Sequence, residues 1–482
     1  MHGWSALYAL VMLTILTGCQ NTPTAQDRTS VATHLTQRFG QTIPETTEPG
    51  RVTLPPGSSL EDGLTEDEAI SIALWNNAAF QELLVDLGIS RGDLIQAGLL
   101  PNPELVYFFP MSDKPYKYLF DFPIEAIWLR PVRVQSAASE LDRASERLTQ
   151  AGLDLMRDVR QAYADVLLAK ERVRVAGEAV KLRGKIAELA EKRLKAGDIS
   201  PQEAATARID ALQAQQDAIR IAYEIPVSEE RLRFLMGIGF LRDPLALDSI
   251  SPACMTFDPD ALTKEALVNR PDALAANHAV AAAEARLKFA RIGWVRLLGI
   301  ADATSGKESH VFGPALRFTV PIFNQNQGLI ARAEAELEKA VRNQQTVAYQ
   351  IILDVQQAYL QYRQACAELE ILRNKIRPEV EASITRAQGA YQEGNVPIFI
   401  VLESTRQLLD NFLRDAQLDA DLRRFWAQLE RSVGNRLATP PSPLPKAQKS
   451  KLDFSSIDPS PMPKFELSDA DKSTFAAERS GN

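Results

Sequence analysis

Histidine and cysteine are scarce, at four and three residues in a chain of 482. The histidines, at 2, 34, 278 and 310, are scattered, and no Cys/His pair has metal-ligand spacing. No phosphate-cradling glycine loop and no nucleophile elbow appears. Nothing in the sequence therefore assembles catalytic residues, a metal site or a cofactor site, and the chain reads as a non-enzyme. Mature Met111, Met156, Met236, Met255 and Met462 do not cluster either. Basic excess is also missing: 54 Lys and Arg against 62 Asp and Glu leave a net charge of -8, with no basic cluster. Nucleic acid is excluded as a partner on that ground. With 24% charged and 45% hydrophobic residues the chain is too polar for a multi-helix membrane protein.

The apolar run from Ala6 to Thr17 is too short to span a bilayer. It closes on Leu16-Thr17-Gly18-Cys19, which resembles a bacterial lipobox. Residues 1–18 are then a signal peptide and Cys19 the point of lipid attachment. Met1-His2-Gly3-Trp4 lacks the usual Lys or Arg, and an ordinary cleaved secretory peptide with an incidental cysteine is the alternative. Gln20 in place of Asp after the cysteine resembles the outer-membrane sorting class. Residues 19–60, rich in Thr, Pro, Gln and Ser, read as a tether. Cys254 lies in a Pro-containing connector and Cys366 in a long helical pattern. They can bond or remain two unpaired thiols, and no disulfide framework is implied.

The dominant positive signal is an internal duplication. Phe122-Pro123-Ile124, Asp158-Val159-Arg160-Gln161-Ala162-Tyr163 and Ala196-Gly197-Asp198 return as Val320-Pro321-Ile322, Asp354-Val355-Gln356-Gln357-Ala358-Tyr359 and Glu393-Gly394-Asn395. A repeat this long duplicates a whole structural unit. It divides the chain into a first copy over 61–240, a connector over 241–260, a second copy over 261–435 and a Pro/Ser/Lys-rich, disordered tail over 436–482.

Each copy has the same order of signals. Thr65 with Glu68 has capping-box spacing and opens a helix that runs to about Leu99, where Pro101-Asn102-Pro103 ends it. Two strand-like segments follow, Leu105–Phe109 and Tyr118–Ile124; in the second, Tyr118, Phe120 and Phe122 share one face and Leu119 and Asp121 the other. The second copy places Leu316, Phe318 and Val320 against Arg317 and Thr319, with Gly299–Thr304 as the partner strand. Then come helical runs over Val132–Ala196 and Gln325–Gln392, the latter interrupted only by Pro378. Heptad-spaced positions are Leu141, Leu148, Leu155, Ala162, Ala169 and Ala176, and Val341, Ala348, Val355, Tyr362, Leu369 and Ile376. Gly197 and Gly394 stop these helices and Pro201 and Pro397 start returning ones, making two helical hairpins. Pro226 predicts a break in the first return.

Lipobox, duplication, four strands and two glycine hairpins together resemble the TolC-type outer-membrane factor family, over roughly residues 61–435. Gln96-Ala97-Gly98-Leu99-Leu100-Pro101-Asn102-Pro103, Asn269-Arg270-Pro271-Asp272, Pro321-Ile322-Phe323 and Tyr391 before Gly394 match its habits, the first looking most like the heavy-metal efflux subgroup. The resemblance implies a mainly α fold with a small β part, in which a long helical coiled-coil barrel continues a 12-stranded transmembrane β-barrel, four strands from each chain of a homotrimer. It implies a lipid-anchored outer-membrane exit duct with a periplasmic extension, served by a periplasmic adaptor and an inner-membrane pump of the RND type. Asp121, Arg317 and Thr319 are then lumen-facing, Gly197 and Gly394 mark the hairpin tips, and Glu203 and Glu403 are the candidate entrance acids. Ile400 departs from the family, whose best-known members have an acid there. A lipid-anchored coiled-coil scaffold or adaptor without a pore is the competing reading, and it leaves the aromatic hairpins without a purpose.

Overall fold

The computed structural model describes residues 28–44, 48, 50–58, 63–109, 116–242, 244–248, 251–305 and 310–437. The signal peptide, Cys19 and the C-terminal tail from 438 lie outside the described residues.

The first copy begins at α2 (Glu66–Asn76), where the Thr65 hydroxyl accepts from the Glu68 N–H and the Glu68 carboxylate accepts from the Thr65 N–H at 2.8 Å. Asn77 caps a second piece, α3 (Ala78–Gly98), by accepting from the Phe80 N–H. Strands β1 (Glu104–Phe108) and β2 (Lys117–Pro123) lead into α4 (Glu125–Ala196), 72 residues long. At about 1.5 Å per residue that is roughly 108 Å of unbroken helix. Helices α5 (Pro201–Ala222) and α6 (Glu224–Met236) return, separated at Tyr223, three residues before Pro226. The proline ring removes a donor and crowds the preceding turn, so the break falls there.

The second copy repeats the order as α7 (Pro259–Asn269), α8 (Pro271–Ile292), β3 (Leu297–Ser305), β4 (His310–Phe318), α9 (Gln327–Ile371), a π turn (Leu372–Ile376), α10 (Arg377–Gln392) and α11 (Ile398–Val433). The π turn is how the chain carries Pro378 without ending the helix: the wider turn accommodates a residue that cannot donate. The heptad stripe is buried unequally in the two copies. Leu141, Leu148, Leu155, Ala162, Ala169 and Ala176 are all buried, but in the second copy only Val355, Tyr362 and Leu369 are, whereas Val341 and Ile376 are exposed. The buried stripe is Ile351, Val355, Ala358, Tyr362, Ala365, Leu369 and Leu372, a three-four alternation that stops at the π turn.

The tether expected over 19–60 is corrected in part. Arg28–Phe39 forms α1, with Val31, Leu35 and Phe39 buried in the main core against α2, α3 and α4. Three apolar residues four apart suffice to seat a helix on a preformed surface, even within a Thr/Gln-rich stretch.

The connector runs as a belt along both long helices. The duplicated tyrosines hold it alike: the Tyr163 hydroxyl donates to Leu64 O at 2.7 Å and lies 2.8 Å from Asp248 O, and the Tyr359 hydroxyl donates to Phe257 O at 2.8 Å. Tyr362 donates to Ala253 O and accepts from the Met255 N–H. Between these contacts Cys254 and Cys366 are disulfide-bonded, their Cα atoms 5.7 Å apart. Of the two alternatives left by the sequence, the structure holds the bonded one.

Candidate functional site: a two-faced sheet and paired hairpin tips

The four strands form one antiparallel sheet in the order β1-β2-β3-β4. Register assigns the faces, because directly opposed residues point the same way. Asp121 opposes Glu104 and Ile300, Leu119 opposes Asp302, Lys117 opposes Thr304, and Leu298 opposes Arg317. All the Asp, Glu, Lys and Arg residues of the sheet, Glu104, Lys117, Asp121, Asp302 and Arg317, thus share one face. Two pairs cross it: Lys117 with Asp302 at 2.7 Å and Arg317 with Asp121 at 3.8 Å. Thr319 sits just past β4, its N–H 3.4 Å from Arg296 O, and continues the register of Arg317. The opposite face carries Leu105, Tyr107, Tyr118, Phe120, Phe122, Ala301, Phe312, Leu316 and Phe318. Phe312, Leu316 and Phe318 are 65% exposed or more. An exposed face with aromatic residues and no charge, backed by one with every charge, is the arrangement of a strand set between lipid and water.

At the far end of the long helices, Gly197 (φ 82°) and Gly394 (φ 79°) take the left-handed conformation that closes each hairpin. The two hairpins pack together through Ile186, Ala190, Ala207, Tyr391, Ile398 and Val401. Arg193 crosses between them, donating to Tyr391 O at 3.1 Å with its guanidinium 4.7 Å from the Tyr391 ring centre. Sequence reasoning missed this pair; a basic residue in the last turn before Gly197 was the available signal. Glu203 lies in the first turn of α5, where its carboxylate accepts from the Ser200 N–H at 3.0 Å and closes a capping box. Glu403 lies in the second turn of α11, and Arg406 donates to it at 2.7 Å. That hydrogen bond holds the Glu403 carboxyl below its ordinary value. Each acid is therefore partnered on its own helix.

The two copies are joined along α4 and α11 by ion pairs that are far apart in sequence. Buried Arg160 contacts Glu430 and also Glu66 at 2.9 Å, Arg424 reaches Asp165 at 2.5 Å, and Arg431 reaches Asp154 at 2.7 Å. A second buried guanidinium, Arg270 of the Asn-Arg-Pro-Asp stretch, holds Asp272 and Asp354. Among the described residues no group of three His, Cys, Asp or Glu converges as a metal site, and no helix is long and apolar enough to cross a membrane.

The family model described as outer membrane efflux protein matches residues 128–238 and 262–435, most of α4 to α6 in the first copy and most of the second copy with its two strands. The chain belongs to the outer membrane efflux protein family. Among relatives, this efflux protein is 25% identical over 366 residues to the cobalt-zinc-cadmium resistance protein CzcC of Cupriavidus metallidurans, covering 73% of this chain and 85% of that one. It is 25% identical over 283 residues to the cation efflux system protein CusC of Escherichia coli K12, covering 56% and 61%. Its fold matches the crystal structure of the outer membrane protein VceC of Vibrio cholerae with a TM-score of 0.65 at 18% identity, covering 77% of this chain and 96% of that one. The outer-membrane efflux protein is thus mainly helical with a small β part.

Proposed function

We propose that the chain is one protomer of a homotrimeric exit duct that conducts substrate passively from the periplasm across the outer membrane. The carrying observation is the division of the sheet into an uncharged face and a face with all five charges. Four strands cannot close a barrel, whereas three sets of four can, and closure removes the unpaired edges of β1 and β4 from lipid. Asp121, Arg317 and Thr319 then line the lumen. Cys19, outside the described residues, carries the lipid anchor. The hairpin tips at Gly197 and Gly394 meet a periplasmic adaptor fed by an inner-membrane pump of the RND type, and Glu203 and Glu403 ring the entrance, three copies of each raising the local cation concentration. Relatives named for cobalt-zinc-cadmium resistance and cation efflux favour metal cations as cargo.

The test is thiol labelling of single-cysteine substitutions along β2 and β4 in outer-membrane vesicles. A water-soluble maleimide labels Asp121→Cys and Arg317→Cys and spares Phe120→Cys and Phe318→Cys. Equal labelling of both sets overturns the reading and favours a pore-free scaffold.

A further inference from the structure

Both hairpins are interrupted at one level, on opposite helices. In the first copy the returning helix breaks at Tyr223; in the second the outgoing helix carries the π turn Leu372–Ile376. Side chains place these interruptions side by side. Arg172 of α4 bonds Glu224, next to the first break, at 3.2 Å, and Gln417 of α11 at 2.9 Å. Arg373, inside the π turn, bonds Asp415 at 2.7 Å and Asp419 at 3.2 Å, the residues that flank Gln417. π turns and proline breaks are where helices bend.

The belt crosses immediately beside this level and is fastened to it. By the repeat offset of 196 residues between Tyr163 and Tyr359, Cys366 occupies the position of Lys170. In the first copy Lys170 donates to Leu245 O of the belt, beside a long helix with no break. In the second copy the same position is bonded covalently to the belt, six residues before the π turn begins. A second fastening reaches α11: Ser251 Oγ lies 2.8 Å from Asp419 Oδ1, the carboxylate that also holds Arg373. The stronger attachment thus falls on the copy whose long helix is interrupted.

We infer that this level is a flexure of the helical wall and that the belt, through Cys254–Cys366 and Ser251–Asp419, is the latch that limits it. α10 and the Gly394 hairpin bend about Leu372–Ile376, and the latch sets how far they move from the Gly197 hairpin. The inference rests on the duct reading and adds to it a site of control remote from the tips.

Single-channel conductance in planar bilayers tests it, on the full chain, in the wild-type and in an Arg193→Ala background that removes the tip contact. Dithiothreitol is the probe: it gives two electrons and two protons to the S–S bond, leaving two thiols and its own cyclic disulfide. The expected result is a several-fold rise in mean conductance on reduction, reversed by reoxidation, with no response in assembled Cys254→Ser/Cys366→Ser protein. Ser251→Ala is expected to raise conductance by a smaller factor. Discrete steps unchanged by dithiothreitol and by Ser251→Ala in both backgrounds overturn the latch and leave the duct standing. No steps from any protein, in either background, overturn the duct and the latch with it.

Discussion

Replacing Arg160 by Met tests what joins the two copies. The Arg160 side chain is 8% exposed and that of its partner Glu430 3%, so both charges are nearly out of water. Burial pushes the Arg160 pKa below its ordinary value, Glu66 and Asp67 offset part of that, and Arg436 adds to the lowering. Removing the guanidinium leaves Glu430 buried without its main counter-ion, which costs about 3–5 kcal/mol. An exposed pair sets the scale: losing Arg406, which pairs with Glu403 on the surface of α11, costs little, because water screens the pair. The double variant Arg160→Met/Glu430→Leu removes both charges and recovers most of the loss, because apolar replacements of similar volume tolerate burial. Thermal unfolding of the detergent-solubilised protein reads all three variants against the wild type. A loss for Arg160→Met no greater than for Arg406→Ala refutes the reasoning, since the seam is then not desolvated. A double variant as unstable as the single one assigns the loss to packing instead of the orphaned charge.

Three further outcomes follow from the same geometry. Burial is the first cause that raises the Glu146 carboxyl to about 7, with Arg38 lowering it and Asp142 raising it. Because the folded value lies above the unfolded one, this group's contribution is full below about pH 4.5, is lost as pH rises through about 7, and is absent beyond it; Glu146→Gln flattens the pH dependence of unfolding in that window, and an unchanged profile refutes it. The 112 residues between Cys254 and Cys366 give a loop-closure stabilisation of about 4.8 kcal/mol, so reduction lowers the unfolding midpoint in denaturant, and an unmoved midpoint contradicts this. At Gly237 (φ 70°) an added Cβ lies 2.2 Å from Asn76 O, whereas at Gly434 (φ 78°) its nearest neighbour is the Arg270 side chain at 2.9 Å. Gly237→Ala therefore costs more than about 1 kcal/mol and more than Gly434→Ala, with equal losses counting against the close-approach argument.

What the sequence revealed was local. The Thr65 cap, the proline-bounded helix ends, the strand alternation and the Gly197 and Gly394 stops are encoded within a few residues each, and the duplication makes each signal appear twice. What it withheld was mostly non-local. Nothing near Arg160 names Glu430 as its partner, 270 residues away. Cys254 and Cys366 were visible, but only the folded belt shows that they meet. Pro378 announced a defect, and the choice of a π turn over a break depends on packing against Asp415 and Asp419 of α11. Helix α1 was hidden by composition: Val31, Leu35 and Phe39 are too sparse to outweigh their Thr and Gln neighbours until α4 supplies a surface. For the candidate site, the face assignments of Asp121 and Arg317 were legible from alternation, whereas the partners of Glu203 and Glu403 and the Arg193–Tyr391 contact needed the hairpins in place.

The most direct test of the duct is the conductance of the purified protein in planar bilayers, for the wild type and for Glu203→Gln/Glu403→Gln. Discrete, cation-selective steps, less selective in the variant, are the predicted result. A protein that assembles as a trimer and inserts into the bilayer, yet carries no current at any voltage even with Arg193→Ala at the tips, contradicts it.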